Sequence, residues 1–204
     1  MTSAPRFADI DRTTRETRIH GRLGLDGAGE IRIDTGIGFL DHMLTALAFH
    51  AGWDLELECH GDLEVDDHHT AEDCALAIGE ALDRVLGDRA GIVRFGSAHA
   101  PLDEALARTV VDLSGRPWPE IDLGLTREAL GGLASENITH VFVSLAIAAR
   151  CALHVDVLRG NNDHHRAEAA FKATALALRQ ATAVGGAGVR STKGSLGTAP
   201  GFEP

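Results

Sequence analysis

Two copies of one short motif carry the residues of this chain that are best suited to metal chemistry. Each copy is an adjacent pair of histidines followed, after two intervening residues, by a glutamate. The residues are His68, His69 and Glu72 in the first copy and His164, His165 and Glu168 in the second. Imidazole and carboxylate groups are common ligands of divalent transition metals. The repetition indicates an internal duplication, and two matched sets of ligands favour a dinuclear metal enzyme.

A further histidine lies upstream of each tetrad at a similar distance. His42 precedes His68 by 26 residues, and His140 precedes His164 by 24 residues. The period of the duplication, 96 to 98 residues, is far longer than that of solenoid repeats. We therefore predict two fused, related half-domains followed by a phosphate-binding loop and tail, with bounds at 10–90, 91–185 and 186–204.

Helix geometry constrains how the tetrads can bind metal. Aspartates and asparagines that are good N-capping residues precede both copies, so each tetrad is predicted to open a helix. On a helix, positions i and i+4 lie about 40° apart, whereas position i+1 diverges by about 100°. One ion therefore cannot bind all three side chains of a tetrad. We predict two sites, each taking the first histidine and the glutamate of one tetrad and the second histidine of the other. His42 and His140 would add one imidazole to each site, with the halves meeting within one chain or across subunits.

The elements that position these ligands follow from the hydrophobic pattern. Each half is predicted to be a β-β-α-β-α unit of an α+β fold, with two helices on one face of a sheet. Residues 1–14 are polar and are predicted to lie outside regular structure. The predicted strands are 16–25, 30–34, 54–60, 93–98, 107–113, 118–123 and 152–158, and the predicted helices are 39–51, 70–86, 135–150 and 166–183.

Composition limits the partners and the compartment. The formal net charge of −11 argues against a nucleic-acid partner. No apolar run approaches the roughly 20 residues that span a bilayer, and no signal peptide is visible, so we expect no membrane partner. The three cysteines, Cys59, Cys74 and Cys151, form no C-x-x-C pair. They are predicted to be buried, reduced thiols of a cytoplasmic protein.

Several cationic and hydroxyl residues could bind a phosphate group. A loop of small residues near the C-terminus, 190–194, contains serine, threonine and lysine, which bind phosphate together with backbone N–H groups. A solvated tail would look similar. The candidate phosphate-binding residues are Arg94, Arg116, Lys172, Ser191 and Lys193, of which Lys172 lies one helical turn beyond Glu168.

Five motifs of this chain closely resemble those of the imidazoleglycerol-phosphate dehydratase family. They are TGIGFLDHML at 35–44, DHHTAED at 67–73, SGRP at 114–117, NDHHRAEA at 162–169 and STKG at 191–194. The resemblance covers roughly residues 10–197. It departs from the family at Arg190, where a proline is typical, which leaves the stiffness of the loop open.

The resemblance implies a histidine-biosynthesis lyase that dehydrates D-erythro-imidazole glycerol phosphate to imidazole acetol phosphate. It also implies a duplicated fold similar to ribosomal protein S5 domain 2, two Mn2+ per active site, and a homo-oligomer of 24 subunits with its sites at subunit interfaces. Manganese is favoured over zinc only if each ion is six-coordinate.

The implied reaction needs both metal and a base. Coordination of both imidazole nitrogens would favour an imidazolate, which expels the C3 hydroxyl to give a diazafulvene and thereby acidifies the C2 proton. Glu16, in a segment that resembles the family's N-terminal strand, is the candidate for proton transfer. A solvated strand residue would look the same. His50, eight residues after His42 on the same helix, and Asp103 are secondary candidates for substrate contacts.

Two other classes of function fit the ligand pattern. A dinuclear metallohydrolase acting on a phosphate ester would release inorganic phosphate, so product analysis distinguishes it. A metal-storage or metal-sensing protein could also use duplicated ligand sets, but it would leave the cationic residues without a role.

Overall fold

The computed structural model describes residues 6–192 and Leu196, so Lys193 and Gly194 of the predicted phosphate loop lie outside the described residues. Within the described part, the two halves show the same order of elements. The first half contains β1 (Phe7–Thr13), β2 (Thr17–Gly24), β3 (Ile31–Asp34), α1 (Gly38–Ala51), β4 (Asp54–Gly61) and α2 (His68–Leu86). The second contains β5 (Phe95–Leu102), β6 (Ala105–Asp112), β7 (Trp118–Asp122), β8 (Ala129–Leu130), β9 (Leu133–Ala134), α3 (Ser135–Ala148), β10 (Ala152–Arg159) and α4 (Asp163–Thr182).

The two halves have the same sheet topology. The strand order is β1-β2-β4-β3 in one sheet and β5-β6-β10-β7 in the other. In both sheets the first three strands in this order pair antiparallel, and the fourth pairs parallel to its neighbour. The α+β fold with duplicated halves is therefore confirmed, and β8 and β9 form a small hairpin inserted in the second half.

The sheets and helices of both halves have the order β-β-β-α-β-α; in the first half β1 is additional to the predicted strands, whereas the three strands predicted before α3 in the second half are all present. The prediction for residues 1–14 was wrong over β1, since this strand runs from Phe7 to Thr13. Ile10 is the one fully buried side chain of β1. A strand that buries a single side chain shows little of the apolar alternation by which strands are recognised. Its sequence therefore looks like a polar segment.

The helices of the two halves pack against each other between the sheets. Helix α2 lies on β1, β2 and β4, and α4 lies on β5, β6 and β10. Across the molecule α1 contacts α4, and α2 contacts α3. The three cysteines are free and buried, as predicted. Among the described residues, none of the helices has the length and apolar character to cross a membrane.

A glycine permits the close crossing of α2 and α3. A Cβ atom at Gly79 would lie 2.7 Å from Ala148 Cβ, 2.8 Å from the Leu145 carbonyl oxygen and 2.9 Å from Ala149 N. Two of these three neighbours are backbone atoms, which cannot move without shifting α3. Helices α2 and α3 can therefore lie this close only because Gly79 has no side chain.

Replacing Gly79 with alanine is expected to lower the free energy of unfolding by about 1–3 kcal/mol, the usual cost of overpacking a core. Gly38 provides a matched control, since a Cβ there would meet no atom within 4 Å. Gly38→Ala should be neutral or stabilising by about 0.4–1 kcal/mol. Denaturant unfolding of both variants checks this. Equal stability of the two would contradict the proposed packing constraint.

Candidate metal centre

Two clusters of imidazole and carboxylate groups form where helices of opposite halves meet. In each cluster the possible ligand atoms all lie within 4.8 Å of one another. The first cluster is His42, His164 and Glu168, and the second is His68, Glu72 and His140. Each therefore combines the upstream histidine of one half with the tetrad of the other half. The first histidine and the glutamate of a tetrad lie in the same cluster, which agrees with their helical spacing.

The first cluster is centred on an ionised carboxylate. Glu168 Oε2 lies 3.1 Å from His42 Nε2 and 3.2 Å from His164 Nε2, and its Oε1 lies 2.7 Å from Lys172 Nζ. Burial by itself raises the pKa of Glu168, but hydrogen bonds from Lys172 and His42 outweigh burial and lower the pKa to about 2. A carboxylate that is charged at neutral pH is ready to bind a cation.

The second cluster contains a buried nitrogen without a hydrogen-bond partner. His140 Nε2 lies 3.2 Å from Glu72 Oε1, but the geometry is not that of a hydrogen bond, and the atom is buried without a partner. The His68 and His140 rings stack with their centroids 5.0 Å apart. His68 Nδ1 lies 2.9 Å from Asn137 Oδ1. If Nδ1 carries the proton, Nε2 keeps its lone pair free for a metal ion on the side where Glu72 lies. Many metal-binding histidines have this arrangement.

The donor set of both clusters fits a divalent transition ion. Imidazole nitrogens and a carboxylate converge within each cluster, and a buried nitrogen such as that of His140 is costly unless something binds it. Each cluster offers three groups from the described chain, so positions remain for further ligands. The tetrads open α2 and α4, two and three residues before the predicted helix starts, so their first histidines lie in the first turn.

His69 lies outside both clusters within the described chain. Its Nδ1 is 3.1 Å from the Asp62 carboxylate, and its Nε2 is 3.7 Å from Glu16 Oε1. The hydrogen bond with Asp62 raises the pKa of His69. The direction of this side chain agrees with the predicted divergence of position i+1 from the rest of the tetrad.

His165 has a closely similar environment in the second half. Its Nδ1 is 2.8 Å from Glu104 Oε2, and its Nε2 is 3.9 Å from Asp103 Oδ2. The His165 hydrogen bond and three backbone N–H groups, those of Asn161, Asn162 and Glu104 itself, lower the pKa of Glu104 to about 2, and Glu104 in turn raises the pKa of His165. Within the described part of one chain, therefore, neither His69 nor His165 reaches the cluster of the other tetrad. The metal-binding role of both histidines stays a prediction.

In the metal-free protein, the His165–Glu104 pair should contribute stability in a limited pH range. The Glu104 contribution is present above its usual pKa of 4.5 and is lost as the pH falls toward 2. The His165 contribution is present below 6.5 and is lost as the pH rises through its raised pKa. Glu104→Gln should return the His165 pKa toward 6.5, measured by NMR titration. His69, paired with Asp62, is the internal control and should titrate unchanged. An unchanged His165 would contradict this assignment.

The cationic candidates lie in different surroundings. The side chain of Lys172 binds Glu168. Lys172 therefore lies at the first cluster, as its spacing from Glu168 predicts. Burial lowers the pKa of His50, and the charge of Lys172 lowers it further. Arg94 has its guanidinium bound to the Asp112 carboxylate at 2.7 and 3.0 Å and to the Arg190 carbonyl at 2.6 Å. It holds the start of the C-terminal loop.

The remaining phosphate candidates stay predictions. Arg116 is exposed, and its backbone N–H donates to Ser114 Oγ. The Ser191 N–H donates to the Val189 carbonyl oxygen at 2.9 Å. Lys193 lies outside the described residues.

Sequence reasoning missed the groups that orient the histidines. Asp62, Glu104 and Asn137 each bind the Nδ1 atom of a tetrad histidine. Glu104 adjoins the candidate Asp103, which could have drawn attention to it. Asn137 lies on another helix, 69 residues from its partner His68. No pattern near Asn137 in the sequence predicts this contact.

Comparison with known proteins identifies relatives over nearly the whole chain. The family model for imidazoleglycerol-phosphate dehydratase matches residues 35–178. A dehydratase of that name from Phytophthora nicotianae is 62% identical over 195 residues, covering 95% of this chain and 43% of the relative. Another from Neurospora crassa is 53% identical and covers 95% of this chain and 96% of the relative. The chain thus spans less than half of the Phytophthora protein and nearly all of the Neurospora protein.

Solved structures show the same fold. An imidazoleglycerol-phosphate dehydratase from Staphylococcus aureus superposes with a TM-score of 0.80 at 38% identity, covering 88% of this chain and 99% of that one. The structure from Pyrococcus furiosus also gives a TM-score of 0.80 at 38% identity, covering 92% and 100%.

Proposed function

The chain belongs to the imidazoleglycerol-phosphate dehydratase family, the hydro-lyases of histidine biosynthesis, and on this premise we propose how its residues dehydrate D-erythro-imidazole glycerol phosphate. The observation that carries the proposal is the pair of matched clusters, each built from both halves of the duplication. Two cation sites of equal composition suit a substrate whose imidazole ring has two nitrogens. Storage or sensing would not require the catalytic candidates beside the clusters.

The metal centre is proposed to hold two Mn2+ ions per active site. The ligands would be the three residues of each cluster together with His69 and His165. When bound, such ions would lower the pKa of the substrate's imidazole and stabilise its anion. The low pKa of Glu168 and the unpartnered His140 Nε2 support this assignment. Manganese is preferred to zinc if water and substrate complete six-coordinate sites.

The active site is proposed to form between chains. Among the described residues of one chain each cluster has three candidate ligands, whereas His69 and His165 lie outside the clusters and keep 30% and 27% of their side chains exposed. These histidines would complete the clusters of neighbouring chains in a homo-oligomer of 24 subunits. Metal would then drive assembly, because ligands from two chains bind one ion. The buried thiols suit the cytoplasm, where such an assembly would work.

Residues near the clusters are proposed to move protons and to bind the substrate. Glu16 lies 3.7 Å from His69 Nε2, so a metal held by that histidine would bring the substrate close to its carboxylate. Glu16 would accept the C2 proton once the C3 hydroxyl has left. Asp103 occupies the corresponding place beside His165, and the charge of Lys172 acts on His50. Both would contact the substrate.

The phosphate group is proposed to anchor the substrate at the first cluster. The residues assigned to it are Arg94, Arg116, Lys172, Ser191 and Lys193. Lys172 is the main candidate for binding the phosphate, because its cationic side chain is largely buried and lies directly beside Glu168. Holding the phosphate would fix the distance between the reacting carbons and Glu16.

Product analysis tests the function. The protein loaded with Mn2+ is incubated with imidazole glycerol phosphate, and the ketone product and inorganic phosphate are measured together. We expect ketone formation without phosphate release, and no turnover by the metal-free protein. Phosphate release would instead indicate a hydrolase. Metal binding without any turnover would indicate storage or sensing.

A further inference from the structure

The turn between β1 and β2 carries Glu16, and a buried carboxylate of α2 holds this turn. Asp73 is 6% exposed. Its Oδ2 accepts hydrogen bonds from Thr17 Oγ1 and, at 3.4 Å, from Thr14 Oγ1. Its Oδ1 accepts from Arg12 Nε at 2.8 Å. Three side chains from both strands of the hairpin therefore converge on one carboxylate.

The same threonines order the backbone around Glu16. Thr14 Oγ1 accepts from the N–H groups of Glu16 and Thr17 at 3.1 and 3.0 Å. The Glu16 carbonyl oxygen accepts from Asp62 N–H at 3.1 Å, and the Asp62 carboxylate binds His69 Nδ1. Hydrogen bonds thus connect the backbone of Glu16 to Asp73 through Thr14, and to His69 through Asp62.

The second half has no counterpart of Asp73. The spacing of the tetrads places Ala169 at the equivalent position, and it is buried. The β5–β6 turn is anchored in another way, by Glu104, which accepts from the N–H groups of Asn161 and Asn162. The duplicated hairpin thus forms without a buried carboxylate on its helix, but its turn is shorter, since Leu102 pairs with Ala105 whereas Thr13 pairs with Arg18.

We propose that Asp73 is a positioning residue for the dehydration, which holds the turn at 14–17 so that Glu16 lies against His69. The proposal rests on the proposed function, in which Glu16 moves the C2 proton. A group that moves a proton must be within hydrogen-bond reach of its target, and a misplacement of about 1 Å can cost about 10²-fold in rate. Charge-assisted hydrogen bonds to a buried carboxylate are short and strong enough to prevent such a shift.

The test uses the Mn2+-loaded protein and compares two backgrounds. Asp73→Ala should lower kcat by about 10- to 100-fold, while KM and the bound metal stay at parental values. In a Glu16→Gln background, the same substitution should produce no further loss, because Asp73 acts through Glu16. A merely structural role would lower kcat by the same factor in both backgrounds.

Matched variants separate positioning from folding. Glu80, on the same helix, also binds Arg12, at 3.3 Å, and its other ion pair in the described structure is with Arg84. Glu80→Gln should keep the parental kcat. Thr17→Val removes a donor to Asp73 and should lower kcat, whereas Thr17→Ser retains the hydroxyl and should keep it. This pair decides the question if Asp73→Ala fails to fold, and amide hydrogen exchange in the turn should be faster in Thr17→Val.

The outcomes are distinct. Parental kcat in Asp73→Ala, or equal kcat in Thr17→Val and Thr17→Ser, overturns the positioning role alone. Equal losses in both backgrounds also overturn it. A parental kcat in Glu16→Gln removes the role of Glu16 and the positioning proposal with it. A parent protein without dehydratase activity overturns the proposed function itself.

Discussion

Replacing Glu168 with glutamine is expected to remove one of the two proposed metal ions and to lower kcat by roughly 10³-fold, the scale of losing a group that stabilises transition-state charge. Glu168 is the shared neighbour of His42 and His164 and is ionised because Lys172 binds it. A neutral amide cannot supply that negative charge to a cation. Metal content per chain and turnover should therefore fall together.

The partners of Glu168 make this expectation specific. His42→Ala should remove the same ion as Glu168→Gln, although His42 belongs to the other half, and His140→Ala should remove the other ion. His154→Ala, at an exposed position of β10, is the control and should keep both ions. Metal analysis after dialysis, with kinetics on the same samples, measures this. Two ions and full turnover in Glu168→Gln would show that the ligand assignment is wrong.

Replacing Glu16 with glutamine is expected to lower kcat by about 10²- to 10⁴-fold, the usual contribution of a general acid or base, without loss of metal. The glutamate lies beside His69 but outside both clusters. The isosteric amide keeps the shape and removes the ability to accept a proton. Steady-state kinetics at saturating Mn2+, with metal analysis, checks both parts of the expectation.

Two further substitutions show whether the effect belongs to Glu16. Glu30→Gln, at an exposed position before β3, should be without effect. Asp103→Asn should have a smaller effect, since Asp103 lies beside His165 and is assigned a substrate contact. A larger loss in Asp103→Asn than in Glu16→Gln would exchange the two roles.

Much of the fold followed from patterns along the chain. The helices containing the tetrads and the sheet strands other than β1 were predicted because core residues recur at helical or strand spacing, and the duplication was predicted because the tetrad is repeated. β1 was missed because one buried side chain in a seven-residue strand leaves almost no pattern. The direction of His69 and His165 away from the clusters follows from helix geometry, but their carboxylate partners do not, because those come from turns remote in sequence.

The sequence by itself determined the identity of the cluster residues and the divergence of the second histidine from the rest of each tetrad. Repetition marks the ligands, and the rotation of about 100° per residue on a helix separates adjacent histidines. Only the tertiary structure decided which half supplies each partner. His42 meets Glu168 across 126 residues because α1 packs on α4, and His140 meets Glu72 because α2 packs on α3. Those helix contacts depend on complementary packing surfaces, such as the approach at Gly79, which the spacing of ligands along a chain does not encode.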